Sequence, residues 1–155
     1  MSNEHRSKRW SHGQRGVTLI ELLIVVAIVA LISSIAYPSY MRYVIKAKRT
    51  VAQSALLQVA DRQQQFFMDN KRYAADLTNL GFPADPWVLD DDGKSTVAGD
   101  VDAVYSLSLA NVAATTYTVN AAPLNGQLSR DTYCGSLNLN QAGVKGKTGA
   151  SDDCW

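Results

Sequence analysis

Histidine and cysteine are nearly missing from this chain, with two of each among 155 residues. The histidines, His5 and His12, stand near the start, and the cysteines, Cys134 and Cys154, lie in the last quarter. Two thiolates fall short of the four ligands a structural zinc site needs, so no metal is expected. No nucleophile-and-base arrangement with recognisable spacing is present either, which makes an enzyme the least expected class and implies no cofactor. Positive charge is not in surplus: Lys and Arg number 15 against 14 Asp and Glu. That balance excludes the strong basic footprint of a dedicated nucleic-acid binder. An apolar content of 46% excludes extended disorder.

What is abundant is uncharged apolar sequence in one place. Residues 22–41, LLIVVAIVALISSIAYPSYM, carry no Asp, Glu, Lys or Arg. As a helix rising about 1.5 Å per residue they would span about 30 Å, enough to cross a bilayer. A short basic leader with Arg6, Lys8, Arg9 and Arg15 against Glu4 precedes them, and Glu21 stands at their mouth. Taking residues 1–16 away leaves 11 basic and 13 acidic side chains, a slightly acidic body. A cleaved signal peptide is the competing reading, because Ser34-Ile35-Ala36 is a small-x-small site after the run. Against it, the run exceeds the usual signal core of about 7–15 residues and Glu21 interrupts its start. Counting cations does not orient the segment, since four Lys or Arg precede it and Arg42, Lys46, Lys48 and Arg49 follow it closely.

The cysteines bear on the orientation. A lone pair in an exported domain is most simply one disulfide, closing a loop of about twenty residues and contributing about 3 kcal/mol. Two reduced, buried thiols would require the opposite orientation.

Helical character continues past the run. Over residues 42–68, Val44, Ala47, Val51, Ala52, Ala55, Leu56, Val59, Gln63, Phe66 and Phe67 recur at spacings of three and four. Lys46, Lys48, Arg49, Gln53, Asp61 and Arg62 fall mostly on the other side. The two halves together make a rod of about 50 residues and about 75–80 Å. Pro38 lies inside it, has no N–H for the carbonyl of Ser34, and is expected to kink or loosen that turn.

Periodicity then stops. Residues 70–102 read as a long loop punctuated by Gly81, Pro83, Pro86, Gly93 and Gly99, with one short helical turn near 74–80. Its acidic residues Asp90, Asp91, Asp92, Asp100 and Asp102 invite a calcium reading, but their spacing does not match the twelve-residue calcium loop, and a solvated acidic loop is expected. Strand alternation follows over 103–109, over 116–121, and around Leu137 and Leu139. Residues 143–151 read as a polar glycine-rich loop. The expected architecture is α+β: one long N-terminal helix whose amphipathic half packs on an antiparallel sheet of three to four strands. Leu56, Val59 and Phe66 should meet Tyr105, Leu107 and Leu137. The divisions are a leader over 1–16, an apolar half over 17–41, an amphipathic half over 42–69, a connection over 70–102, and a sheet with a cysteine-bounded loop over 103–155. Residues 42–155 form the globular part.

Gly16-Val17-Thr18-Leu19-Ile20-Glu21 after a basic leader, the apolar helix through Pro38 and the C-terminal cysteine loop resemble a type IV pilin of the type IVa kind. The tail, from Cys134-Gly135-Ser136-Leu137-Asn138-Leu139-Asn140-Gln141 through Gly146-Lys147-Thr148-Gly149 to Cys154-Trp155, is similar to PilE-like minor pilins and to the related competence pilin that captures DNA. The resemblance implies the pilin fold and cleavage between Gly16 and Val17 at the cytoplasmic face by prepilin peptidase. It also implies N-methylation of Val17, and Glu21 pairing with that amine on a neighbouring subunit. The partners it implies are other pilin subunits, the inner membrane before assembly and the inner-membrane pilus assembly machinery. Twitching motility, adhesion and competence are the roles that go with it. Val17 stands where the family usually has phenylalanine, and residues 30–34 lack the glycine many members place before the proline. Two further readings stay open. In a DNA-binding competence pilin, Arg130, Lys145 and Lys147 would contact phosphates. A pseudopilin of a type II secretion system would share the helix.

Overall fold

The computed structural model describes residues 16–155, so the leader expected over 1–16 lies, but for Gly16, outside the described residues. The chain divides into two compact units, one ending at Ser39 and one comprising Tyr40–Trp155. Helix α1 (Leu19–Asn70) contributes to both.

Within the first unit every described side chain is exposed, including large apolar ones such as Leu19, Leu22, Ile28 and Leu31. The helix is apolar all round, so it has no face to turn to water and none turned to a core of its own. Such a helix belongs in lipid or inside a bundle.

The second unit is built on a six-stranded antiparallel sheet. Its strands are β1 (Trp87–Asp90), β2 (Ser95–Thr96), β3 (Ala103–Ala110), β4 (Thr118–Pro123), β5 (Leu137–Asn140) and β6 (Lys145–Lys147), in the order β2-β1-β3-β4-β5-β6. A short helix, α2 (Asn125–Arg130), joins β4 to the segment before β5. Register is set by alternation: Tyr105 lies opposite Pro123, Leu107 opposite Ala121 and Leu109 opposite Val119, and Ala121 in turn pairs with Leu137. The inward set of Trp87, Leu89, Tyr105, Leu107, Val119, Leu137 and Leu139 forms one core with Ala52, Ala55, Leu56 and Val59 of α1. Phe66 packs at its margin. The expected contact set of helix and sheet is therefore present.

Gln63 lies in the apolar stripe and is fully buried. Its amide acts as a backbone surrogate: Nε2 donates to the Ala74 carbonyl at 3.0 Å and Oε1 accepts the Ala74 N–H at 2.9 Å. Both polar atoms are thus satisfied at the point where the chain leaves the helix, and burial carries no penalty for an unpaired group.

Two expectations need correction. The stretch over 70–102 is not only a loop, because it contains β1 and β2 as well as the expected turn, a 3₁₀ turn at Thr78–Leu80. The polar segment after Gly143 carries β6. The sheet accordingly has six strands where three to four were expected. In β1, Trp87, Val88 and Leu89 are all buried, so no alternation marks the strand. β2 is two residues long. β6 reads Lys-Gly-Lys and offers no apolar residue to a pattern search, and its pairing is dictated by β5, with Leu139 opposite Lys145 and Leu137 opposite Lys147.

Candidate functional site

Gly16 and Val17 are exposed, and among the described residues no atom lies within 4 Å of a Cβ added at Gly16. An uncrowded dipeptide before a helix is sterically open to a protease. Thr18 caps the helix: its Oγ1 accepts the Glu21 N–H at 3.3 Å and its carbonyl accepts the Leu22 N–H at 3.1 Å. Thr18-Leu19-Ile20-Glu21 has the Thr-x-x-Glu spacing of a capping box, a sequence signal that marks Thr18 as the cap. Glu21 makes no ion pair among the described residues and is flanked in sequence by Leu19, Ile20, Leu22 and Leu23. A carboxylate in that setting has strong reason to find a cation. The helix continues through Pro38. Ser34 Oγ donates to the Leu31 carbonyl at 2.7 Å, so this hydroxyl serves the preceding turn and not the carbonyl that Pro38 leaves without a donor.

In the second unit, Cys134 and Cys154 are joined by a disulfide, and both are buried. The loop they close is held against α1 by a polar clasp. Arg49 donates Nε to Asp131 Oδ2 at 3.0 Å, Nη2 to Asp131 Oδ1 at 2.7 Å and Nη1 to the Asp153 carbonyl at 2.9 Å. One turn on, Gln53 Nε2 donates to the Cys154 carbonyl at 2.9 Å. From below, Gln127 Nε2 reaches Asp131 Oδ2 and the Tyr105 hydroxyl, both at 3.1 Å, and the Ile45 carbonyl at 3.3 Å. Arg49 and Gln53, placed on the polar side of α1 by their spacing, are therefore turned to the C-terminal segment. No sequence signal pairs Arg49 with Asp131, which lies 82 residues away. The hydrogen bonds to Asp131 hold the Arg49 guanidinium above its ordinary pKa. Burial, with the nearby Asp131 charge, pushes the Tyr105 phenol up to about 12. Within the loop, the Gly149 N–H donates to the Cys134 carbonyl at 2.9 Å, and a Cβ on Gly149 would collide with the Tyr133 carbonyl, so the two strands of the loop approach too closely there for any side chain.

The Tyr105 environment sets a pH dependence. Its folded pKa lies above the ordinary value of 10.0, so the folded state holds the phenol proton more tightly. The associated stability is complete below pH 10 and should disappear as pH rises from 10 to about 12. Burial raises the Tyr117 phenol as well, so a spectrophotometric pH titration should show late tyrosine ionisation, and Tyr105→Phe should remove its latest phase.

Of the three cations proposed for phosphate contact, Lys145 and Lys147 share β6, but Arg130 and Lys145 do not line one cleft. Arg130 ends α2 and lines a cleft with Lys48, Asp91 and Asp102, whereas Lys145 lines another with Leu57, Gln64 and Tyr117. Lys145 Nζ lies 5.1 Å from the centre of the Trp155 ring. Lys147 is engaged by Asp152 at 2.8 Å and by the Ser151 carbonyl. The acidic stretch is likewise used locally. Asp92 pairs with Lys94 at 2.8 Å, Asp90 accepts the N–H groups of Asp92 and Lys94, and Asp100 accepts from Thr96. No cluster able to hold a metal ion is present among the described residues.

Comparisons with known proteins give the family. Residues 38–138 match the family of the type IV minor pilin ComP, DNA uptake sequence receptor, and residues 11–37 match the prokaryotic N-terminal methylation motif. The type IV major pilin protein PilA of Myxococcus xanthus is 34% identical over 77 residues, covering 50% of this chain and 35% of that protein. A fimbrial protein of Pseudomonas aeruginosa is 31% identical over 90 residues, 54% of this chain and 58% of its own length. The chain thus spans between about a third and three fifths of these relatives. The Neisseria meningitidis non-core minor pilin PilV superposes with a TM-score of 0.48 at 14% identity, over 72% of this chain and 94% of its own. With the family match running across most of the globular unit and the methylation motif across the start of the helix, this chain belongs to the type IV minor pilin ComP family.

Proposed function

We propose that the chain is a non-enzymatic structural subunit of a type IV pilus that takes part in pilus assembly, twitching motility and adhesion. Before assembly it sits in the bacterial inner membrane as a single pass, with the sheet unit in the periplasm, where the disulfide forms. Prepilin peptidase cuts between Gly16 and Val17 at the cytoplasmic face, and the new amine of Val17 is N-methylated. In the pilus the apolar half of α1 packs among the helices of other pilin subunits. Moving from lipid to such a bundle exchanges one apolar environment for another, so little hydrophobic free energy opposes extraction or return by the assembly machinery.

One observation carries this reading. The apolar half of α1 is exposed on every side and holds a single carboxylate, Glu21, one turn from the freed amine. A neighbouring subunit's Val17 amine supplies the cation that Glu21 lacks. Glu21→Ala should leave processing intact while the subunit recovered in sheared pili falls about tenfold, the change expected when a contact worth about 1.4 kcal/mol is lost. Wild-type recovery in that variant would contradict the pairing.

The family description also supports a role in DNA uptake. Of the three candidate cations, Arg130 and Lys145 have no carboxylate partner among the described residues, while Lys147 is held by Asp152. Phosphate contact by this trio would therefore rest on the first two.

A further inference from the structure

The uncharged stretch of α1 ends at Met41, and four cations follow with unlike fates. Arg49 is taken by Asp131, and Lys48 lies 3.8 Å from Asp91. Arg42 is exposed and has no carboxylate partner among the described residues. Lys46 faces only Asp153, at 3.9 Å, with both side chains mostly in solvent. Tyr40 and Tyr43 stand among them, 64% and 73% exposed. At about 100° per residue, Arg42, Lys46 and Tyr43 fall within an arc of about 100°. That arc is turned away from the stripe of Ala52, Ala55, Leu56 and Val59 that covers the sheet. None of these four side chains joins the core between helix and sheet, and the disulfide loop meets only Lys46, through the exposed Asp153.

We propose that Tyr40, Arg42, Tyr43 and Lys46 form a belt that binds the phosphodiester headgroups of anionic phospholipids where the unassembled helix leaves the bilayer. The inference rests on the reading that the apolar half of α1 spans the membrane. Tyrosine suits the headgroup level because its ring is apolar and its hydroxyl polar. A guanidinium offers paired N–H donors to phosphate oxygens, and an ammonium adds a point charge. The partner is fixed by complementarity: Arg42, without a carboxylate partner among the described residues, and Lys46, held only by a solvent-exposed pair with Asp153, follow an uncharged span of 20 residues and meet, in a bilayer, a plane of phosphates. Each such cation is worth about fivefold in binding to an anionic surface, so the pair should contribute about thirtyfold at low salt.

The test uses the full chain in nanodiscs of equal phosphatidylglycerol and phosphatidylcholine, with the lipids that stay bound counted by native mass spectrometry. Wild type should retain phosphatidylglycerol over phosphatidylcholine. R42Q/K46Q should lose about thirtyfold of that preference, while K71Q, altering a cation just past the far end of α1, should keep it. Both substituted side chains are exposed, so the variant should keep its disulfide and circular dichroism spectrum. Alkaline carbonate extraction of vesicles separates the two readings. A chain washed out would overturn the membrane span and the belt with it, whereas an inserted chain without anionic preference, or a double variant that keeps it, would overturn the belt alone.

Discussion

Arg49→Met should lower the unfolding free energy of the full-length protein in detergent by about 3–5 kcal/mol, the penalty of leaving a buried carboxylate without its counter-charge. The side chain of Asp131 is 1% exposed and that of Arg49 11%, so little solvent screens the pair. Asp131 would keep only the Gln127 amide as a donor, and the Asp153 carbonyl would lose its partner. The size of the effect distinguishes a buried pair from a surface one, because an exposed ion pair contributes about 0–1 kcal/mol. Removing both charges gives a second check. In Arg49→Met/Asp131→Leu no lone charge is left behind, and most of the stability should return. Chemical denaturation of the three proteins, with unchanged slopes, would show this; a loss under about 1 kcal/mol in the single variant would place the clasp among surface pairs.

Cys134→Ser/Cys154→Ser should cost about 3 kcal/mol, the chain-entropy value for a loop with a sequence separation of 20. The loss should couple to the clasp. Without the disulfide the last residues are held by Arg49 at the Asp153 carbonyl, Gln53 at the Cys154 carbonyl, and the Trp155 indole, whose Nε1 donates to the Gly146 carbonyl at 2.9 Å. Arg49 thus bonds both ends of the same loop, through Asp131 before Cys134 and Asp153 before Cys154. Combining the cysteine variant with Arg49→Met should destabilise by less than the sum of the two, since each already frees part of what the other holds. Strict additivity would show that the two devices act independently.

These two devices differ in how far they can be read from the chain. The cysteine pair was legible as a disulfide because two lone cysteines behind an apolar N-terminal segment have few alternatives. The apolar half of α1 was legible because its message is local: composition over 20 residues and a carboxylate at one end. The core residues Leu56, Val59, Tyr105, Leu107 and Leu137 were legible through their spacing. Arg49 was not, because its partner is fixed by the fold. A cation on the polar side of a helix looks solvated until α2 brings Asp131 beneath it. β6 was illegible for the opposite reason, since its residues have no preference that a pattern could detect and pair because β5 presents an edge. The phosphate-contact candidates mix both cases. Lys147 looked available until the chain folded Asp152 against it.

The intact mass of the natural protein recovered from membranes tests the central claim most directly, because the claim is that the apolar helix survives maturation. The expected species begins at Val17, carries one added methyl group and retains the Cys134–Cys154 disulfide. A species beginning at Tyr37 would show that the helix is discarded as a signal peptide, and pilus incorporation through it would then be contradicted.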